Sequence, residues 1–157
     1  MMNAGYFNVK ELTPCVYFRQ GKQILGHTHP TELYRVDGVF GFTDRKGREM
    51  EVAHCPDSLD YEAVSRKMKS VMASGPLLIL DGDIVVPVLM GDKADGASIY
   101  ETAYICHLLG MTDAINLDGG GSSALWTSTT GVISHPRDNR RFDHEGERTV
   151  PNLIAVY

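Results

Sequence analysis

The sequence predicts an α+β fold with a mixed or mostly antiparallel β-sheet core and two main amphipathic helices. Short alternating apolar stretches come in runs joined by tight-turn residues, which is the signature of neighbouring antiparallel strands. Only two stretches switch to a spacing of three and four. They stand between the runs of strands, so a regular βαβ alternation is disfavoured. No internal repeat or low-complexity linker divides the 157 residues, and a single domain over 1–157 is expected.

Cys15-Val16-Tyr17-Phe18 is aromatic and β-branched and is broken by Gly21-Lys22, which predicts a first strand. Val39 to Thr43 alternates before Asp44-Arg45-Lys46-Gly47, a hairpin turn, and Glu49 to Ala53 is the returning strand. From Leu59 to Met72 the period changes, with Tyr61, Val64, Met68 and Val71 three or four apart. Asp57 or Ser58 is available as cap and Gly75-Pro76 as stop, so a first helix is predicted with its methionines in the core. Leu77 to Leu80 and Ile84 to Leu89 flank Asp81-Gly82-Asp83 and read as a buried hairpin. Pro87 makes the second arm an edge or irregular strand, and Gly91 to Gly96 reads as polar loop. Ser98 and Glu101 form a capping box that opens a second helix. That helix is expected to turn Ile99, Ala103, Cys106 and Leu109 to a core and to end at Gly110. Ala114 to Leu117 is a short apolar strand, and Leu153 to Tyr157 is the last one.

Composition narrows the function. A net charge of -5 argues against a nucleic-acid surface, which draws on an excess of Lys and Arg. The stretch from Arg137 to Arg148 is balanced by Asp138, Asp143, Glu145 and Glu147 and reads as a polar loop whose Arg137, Arg140 and Arg141 are solvent-facing or touch anionic substrate. Cys15, Cys55 and Cys106 lack any C-x-x-C pairing and are expected to be reduced and structural. No apolar run reaches the length of about 18 residues that a membrane span needs. Met1 to Gly5 lacks the apolar region of a signal peptide. His27 and His29 fall on one face of a predicted strand without an evident third ligand, so no metal and no cofactor is expected. His135 and His144 flank the polar loop, either as surface residues or as proton carriers near neutral pH.

The most informative run is Asn116-Leu117-Asp118-Gly119-Gly120-Gly121-Ser122-Ser123, a carboxylate followed by three glycines and two hydroxyls at a strand end. Three glycines weaken any regular element, because glycine loses the most backbone freedom on folding. Backbone without Cβ atoms approaches a ligand closely, and successive N–H groups form a nest for an anion. Gly119-x-Gly121-x-x-Ala124 formally fits the relaxed dinucleotide pattern. The following Thr127, Ser128, Thr129, Thr130 and Gly131 are poor helix formers, and Asp118 would face a pyrophosphate uncompensated. A P-loop is excluded because no Lys follows the glycines. A plain turn in which Asp118 bonds its own backbone stays open.

Four blocks then follow one pattern in order: Asn3-Ala4-Gly5-Tyr6-Phe7, Ser74-Gly75-Pro76-Leu77-Leu78, Gly110-Met111 through Leu117 to Trp126, and Gly146-Glu147-Arg148-Thr149-Val150-Pro151-Asn152. Together they resemble the phosphodiester glycosidase family, some bacterial members of which are linked to exopolysaccharide metabolism. The resemblance implies hydrolysis of a sugar joined through its anomeric carbon to a phosphodiester, without a cofactor, on a sugar-phosphate or anionic glycan substrate. It implies a commonly exported protein. Against the family pattern the chain reads as shortened at its N-terminus and around 90–98, where a His-Pro-Arg-Thr-Ala-like motif and a strand pair are expected. An unpaired sheet edge left there predicts pairing with another copy of the chain.

Residue by residue, the resemblance implies Asp118 as the carboxylate near the anomeric centre, as base for water or as electrostatic stabiliser. Phosphate is already a good leaving group, so donors around its oxygens matter more than a strong general acid. Gly119, Gly120 and Gly121 with Ser122 and Ser123 would cradle phosphate or sugar hydroxyls. Arg148 fits a bidentate phosphate contact. Glu147 is either a second carboxylate or the partner that orients Arg148. Asn3, Gly5 and Asn152 read as substrate-binding positions, with backbone-satisfying buried amides the alternative for the two asparagines. A second, non-enzymatic reading is a shortened relative that binds carbohydrate or anionic glycan, or assembles with a partner.

Overall fold

Every strand pairing is antiparallel among the residues described by the computed structural model, 1–86, 97–136 and 138–155. In chain order the first strands are β1 (Met2–Asn3), β2 (Phe7–Asn8), β3 (Thr13–Pro14), β4 (Phe18–Gln20), β5 (Gln23–Gly26), β6 (Gly38–Phe42) and β7 (Met50–His54). A 3-10 turn, Ser58–Asp60, runs into the single turn α1 (Tyr61–Val64). Then come β8 (Ser70–Ser74), β9 (Leu77–Leu80), β10 (Asp83–Ile84), α2 (Ile99–Leu108) and β11 (Ala114–Ile115). The chain closes with β12 (Trp126–Thr127), β13 (Gly131–Val132) and β14 (Leu153–Ile154). This is an α+β architecture, as the strand runs predict.

The main sheet has the order β5-β4-β8-β6-β7, with β8 at its centre. Phe40 and Phe18 both lie opposite Met72. Val16, Tyr17, Val36, Val39, Phe40, Val71 and Ala73 bury their side chains in the core this sheet shares with Tyr61 and Met68. A second core forms where α2 lies on the β10-β9-β11 sheet, with Ala103 fully buried against Leu78, Ile79 and Val86.

The predicted helix from Leu59 to Met72 is overturned. Helix ends at Val64, turns follow, and the last three residues of the stretch, from Ser70, already belong to the central strand. The Ser65 hydroxyl donates to the Tyr61 carbonyl at 2.6 Å, competing with the backbone ladder as the helix ends. Val71, Met72 and Ala73 are then buried one after another, so a strand covered on both faces shows no period of two. The predicted first strand is displaced likewise: β4 starts at Phe18, where that stretch was expected to end, and His27 and His29 follow β5 rather than lying within it.

Other elements match. The β6–β7 hairpin pairs Phe42 with Met50 across the Asp44–Gly47 turn. The β9–β10 turn places both Asp81 and Gly82 at positive φ, 51° and 88°, which suits a tight two-residue hairpin. Both arms of the Ser98–Glu101 capping box are formed. Leu109 differs from expectation: it is 70% exposed and caps the end of the helix rather than packing in the core. Pro87 with the rest of its arm, the 91–96 loop, Arg137 and the final residues of the last predicted strand lie outside the described residues. Among the described residues, no helix is long and apolar enough to cross a membrane.

Candidate functional site

Three distant blocks of sequence meet at the end of the sheets. The antiparallel pair of β1 and β14 sets Asn3 opposite Leu153, so the N-terminal and C-terminal blocks lie side by side. The Asp118 amide donates to the Ala4 carbonyl at 3.2 Å, which brings the glycine turn onto the same strand. The Asn3 side-chain amide donates to the Asp118 carbonyl at 2.6 Å. The Gly5 amide donates to Asn152 Oδ1 at 2.9 Å. Asn3 and Asn152 are both buried, so these bonds hold backbone in place where water cannot.

The corner between β8 and β9 forms the next wall. The Ser74 hydroxyl donates to the Asn116 carbonyl at 2.6 Å, and the Asn116 amide donates to the Pro76 carbonyl at 3.0 Å. The Tyr6 hydroxyl donates to the Gly75 carbonyl at 2.7 Å and accepts from Asn116 Nδ2 at 3.2 Å. The guanidinium of Arg35 stands 5.3 Å from the centre of the Tyr6 ring. Burial raises the Tyr6 phenol above its ordinary pKa, a shift opposed by the Asn116 bond and the Arg35 charge and reinforced by the Asp118 carboxylate. Tyr6 therefore stays protonated at neutral pH and serves as a donor.

The turn itself is a 3-10 segment, Gly120–Ser122, with Gly120 at a φ of 62°. Asp118 Oδ1 accepts from the Gly119 amide at 2.9 Å, so the carboxylate caps its own turn while keeping Oδ2 out of that bond. Gly119 and Gly120 border open space, where an added Cβ would touch nothing. Gly121 is different: a Cβ there would collide with the carboxylate of Asp138. The Gly121 amide donates to Asp138 Oδ1 at 3.0 Å. Arg148 grips the same carboxylate in a fork, Nε to Oδ2 at 2.9 Å and Nη2 to Oδ1 at 3.0 Å. Its own backbone amide donates to the Gly121 carbonyl at 2.8 Å, which fixes the fork to the turn. The Arg148 bonds hold the Asp138 carboxyl below the usual carboxylate range, slight desolvation opposing and the Arg148 charge and Gly121 amide assisting.

Of the residues singled out from the sequence, Asn3, Gly5, Asp118, Gly119, Gly121, Arg148 and Asn152 are joined in this one bonded assembly. Ser122 is fully buried, and among the described residues neither its hydroxyl nor Asn152 Nδ2 has a hydrogen-bond partner. Ser123 is exposed and reaches the Asp118 carbonyl only at 3.5 Å. Glu147 is exposed, and the carboxylate that orients Arg148 is Asp138. Asp138, Tyr6 and Arg35 had no role in the sequence reading of the site. Asp138 sits in a charge-balanced loop whose ten-residue separation from Arg148 carries no periodic signal. Among the described residues, no group of three His, Cys, Asp or Glu side chains is placed to hold a metal ion.

Chemically, the assembly offers a backbone N–H and a planar guanidinium converging on one two-oxygen anion, with a second carboxylate three residues before that N–H. No curated protein matches the chain. Residues 82–157, the stretch that holds the glycine turn together with Asp138, Arg148 and Asn152, match the model of the phosphodiester glycosidase family, the family that the sequence blocks resemble.

Proposed function

We propose that the glycine-turn site hydrolyses glycosyl phosphodiesters of the kind found in glycans and exopolysaccharides. Water adds at the anomeric carbon, the bond from that carbon to the phosphate oxygen breaks, and a reducing sugar and a phosphomonoester leave. The observation that carries this reading is the convergence of the Gly121 amide and the Arg148 guanidinium on the Asp138 carboxylate. A carboxylate presents two oxygens much as a phosphodiester does, and a guanidinium fork suits both.

In this reading the substrate phosphate takes the place of Asp138 on Arg148 and Gly121. Asp118 stands at the anomeric carbon, where positive charge develops as the bond lengthens. Its Oδ1 is held by the Gly119 amide, which fixes the carboxylate against the turn. Asn3, Gly5 and Asn152 keep the turn registered on β1, so the cradle is set before substrate arrives. Glu147 and Ser123, both exposed, lie on the rim of this site, where they contact the sugar, while the buried Ser122 backs the turn from within. The Tyr6 hydroxyl, bonded to the Gly75 carbonyl, and the Arg35 guanidinium beside the Tyr6 ring brace the β8–β9 corner next to the turn.

The test follows release of reducing sugar and phosphomonoester from a panel of α- and β-linked glycosyl phosphodiesters. Asp118→Asn keeps an oxygen for the Gly119 amide but removes the charge. It is expected to lower kcat by 100-fold or more while leaving Tm within about 2 °C, since loss of one electrostatic contact to the transition state is worth about 10²–10³ in rate. Unchanged turnover in D118N refutes the assignment. The occupied fork also supports the second reading, a binding module: calorimetric binding of sugar phosphates without turnover by the parent chain would favour it.

A further inference from the structure

At the other end of the main sheet, about four residues along β8 and so roughly 13 Å from the β8–β9 corner, three loops enclose a concavity of about 1430 Å³. Its walls are the β4–β5 turn, the β6–β7 hairpin tip and the segment between α1 and β8. Each wall contributes cations: Lys22 from the first, Arg45, Lys46 and Arg48 from the second, Arg66 and Lys69 from the third. All six are exposed, and among the described residues none of their side chains is in an ion pair or donates a hydrogen bond. They are six of the 15 Lys and Arg in a chain whose net charge is -5. Cations are thus gathered at one end of an otherwise strongly acidic molecule.

The walls are fastened to one another. The Gly21 amide donates to the Lys69 carbonyl at 2.7 Å, and the Lys69 amide donates to the Phe42 carbonyl at 2.6 Å, so backbone bonds link all three loops. Arg19 also lines the concavity, but its guanidinium is spent inward on the carbonyls of Gly21, Ser65 and Met68. Asp44, the one acid in the lining among the described residues, accepts from the Arg48 amide at 2.8 Å and so braces the hairpin tip. The cationic side chains therefore project from a fixed rim rather than from three independent tips. Holding them together costs mutual repulsion that a bound anion relieves.

We propose that this groove is a binding site for a short, flexible chain of phosphates, separate from the glycine turn. Three of its six cations are arginines, which suit phosphate oxygens in forks, and three are lysines, which act as point charges. Among the described residues Phe42 is the one aromatic in the lining, which gives stacked bases no platform there. The cations stand on three sides of the groove. A single phosphate chain fits within it.

Inorganic tripolyphosphate, titrated into the full chain by calorimetry at low salt, tests this. The expected result is binding that weakens steeply with added salt, falls about ten-fold in Arg45→Gln/Arg66→Gln, and survives in Arg148→Gln. Circular dichroism checks that the double variant keeps its fold, as the exposure of both side chains predicts. Absence of binding overturns the proposal. So does binding that is lost in R148Q and kept in the double variant, which would place the anion at the glycine turn. A short DNA duplex that binds more tightly than tripolyphosphate at equal salt overturns the choice of ligand. Since D118N is not used, failure here leaves the proposed hydrolysis untouched.

Discussion

Removing the Asp138 carboxylate should separate what that group does for the fold from what it withholds from a ligand. Its three bonds have different values. The fork with Arg148 is about one-third exposed on both sides, 33% and 39%, so screening by water keeps it within about 0.2–1 kcal/mol. The Gly121 amide is buried, and stripping its acceptor costs about 1–3 kcal/mol. Asp138→Ala loses both contributions, about 2 kcal/mol in all, which for a chain of this length lowers Tm by roughly 4–8 °C. Asp138→Asn keeps an oxygen for the Gly121 amide and loses mainly the charge, so it should lower Tm by about 1–4 °C. The folded carboxyl lies below its ordinary value, so its contribution is complete above the unfolded pKa near 3.9 and is lost as pH falls through the folded value. The gap between parent and D138N should therefore narrow as pH falls below the unfolded value of about 3.9. Freed of its internal anion, D138A should also be stabilised more by millimolar inorganic phosphate than the parent, in the same thermal scan. Equal phosphate stabilisation of the two proteins, or a D138N as damaged as D138A, refutes the view that Asp138 occupies an anion cradle.

Gly121→Ala drives a methyl group into the Asp138 carboxylate and should cost about 2 kcal/mol or more, read as a denaturation midpoint. Combined with D138A the clash has no target, so the double variant should be more stable than the sum of the single losses implies. Ser98→Ala removes a formed capping box and should cost about 1 kcal/mol, lowering Tm by about 2–4 °C with no effect on phosphodiester hydrolysis.

Local chemistry made parts of this molecule legible from its residues alone. The Asp44–Gly47 and Asp81–Gly82 turns and the Ser98 capping box each depend on a few neighbouring residues, so the α+β class and the hairpins follow from them. The glycine run announced a close approach by its composition, and its order among the other blocks pointed to the family that residues 82–157 match. Two things were beyond that reach. Ser70 to Ser74 is the centre of the main sheet, buried on both faces, and without an exposed side it shows no period to tell it from a helix. Asp138 meets Gly121 and Arg148 only because β14 pairs with β1 and draws the last block back against the glycine turn. Which carboxylate lies in the fork, Asp138 rather than Glu147, was decided by tertiary pairing, since an ion pair depends on distance in space and leaves no spacing in the chain.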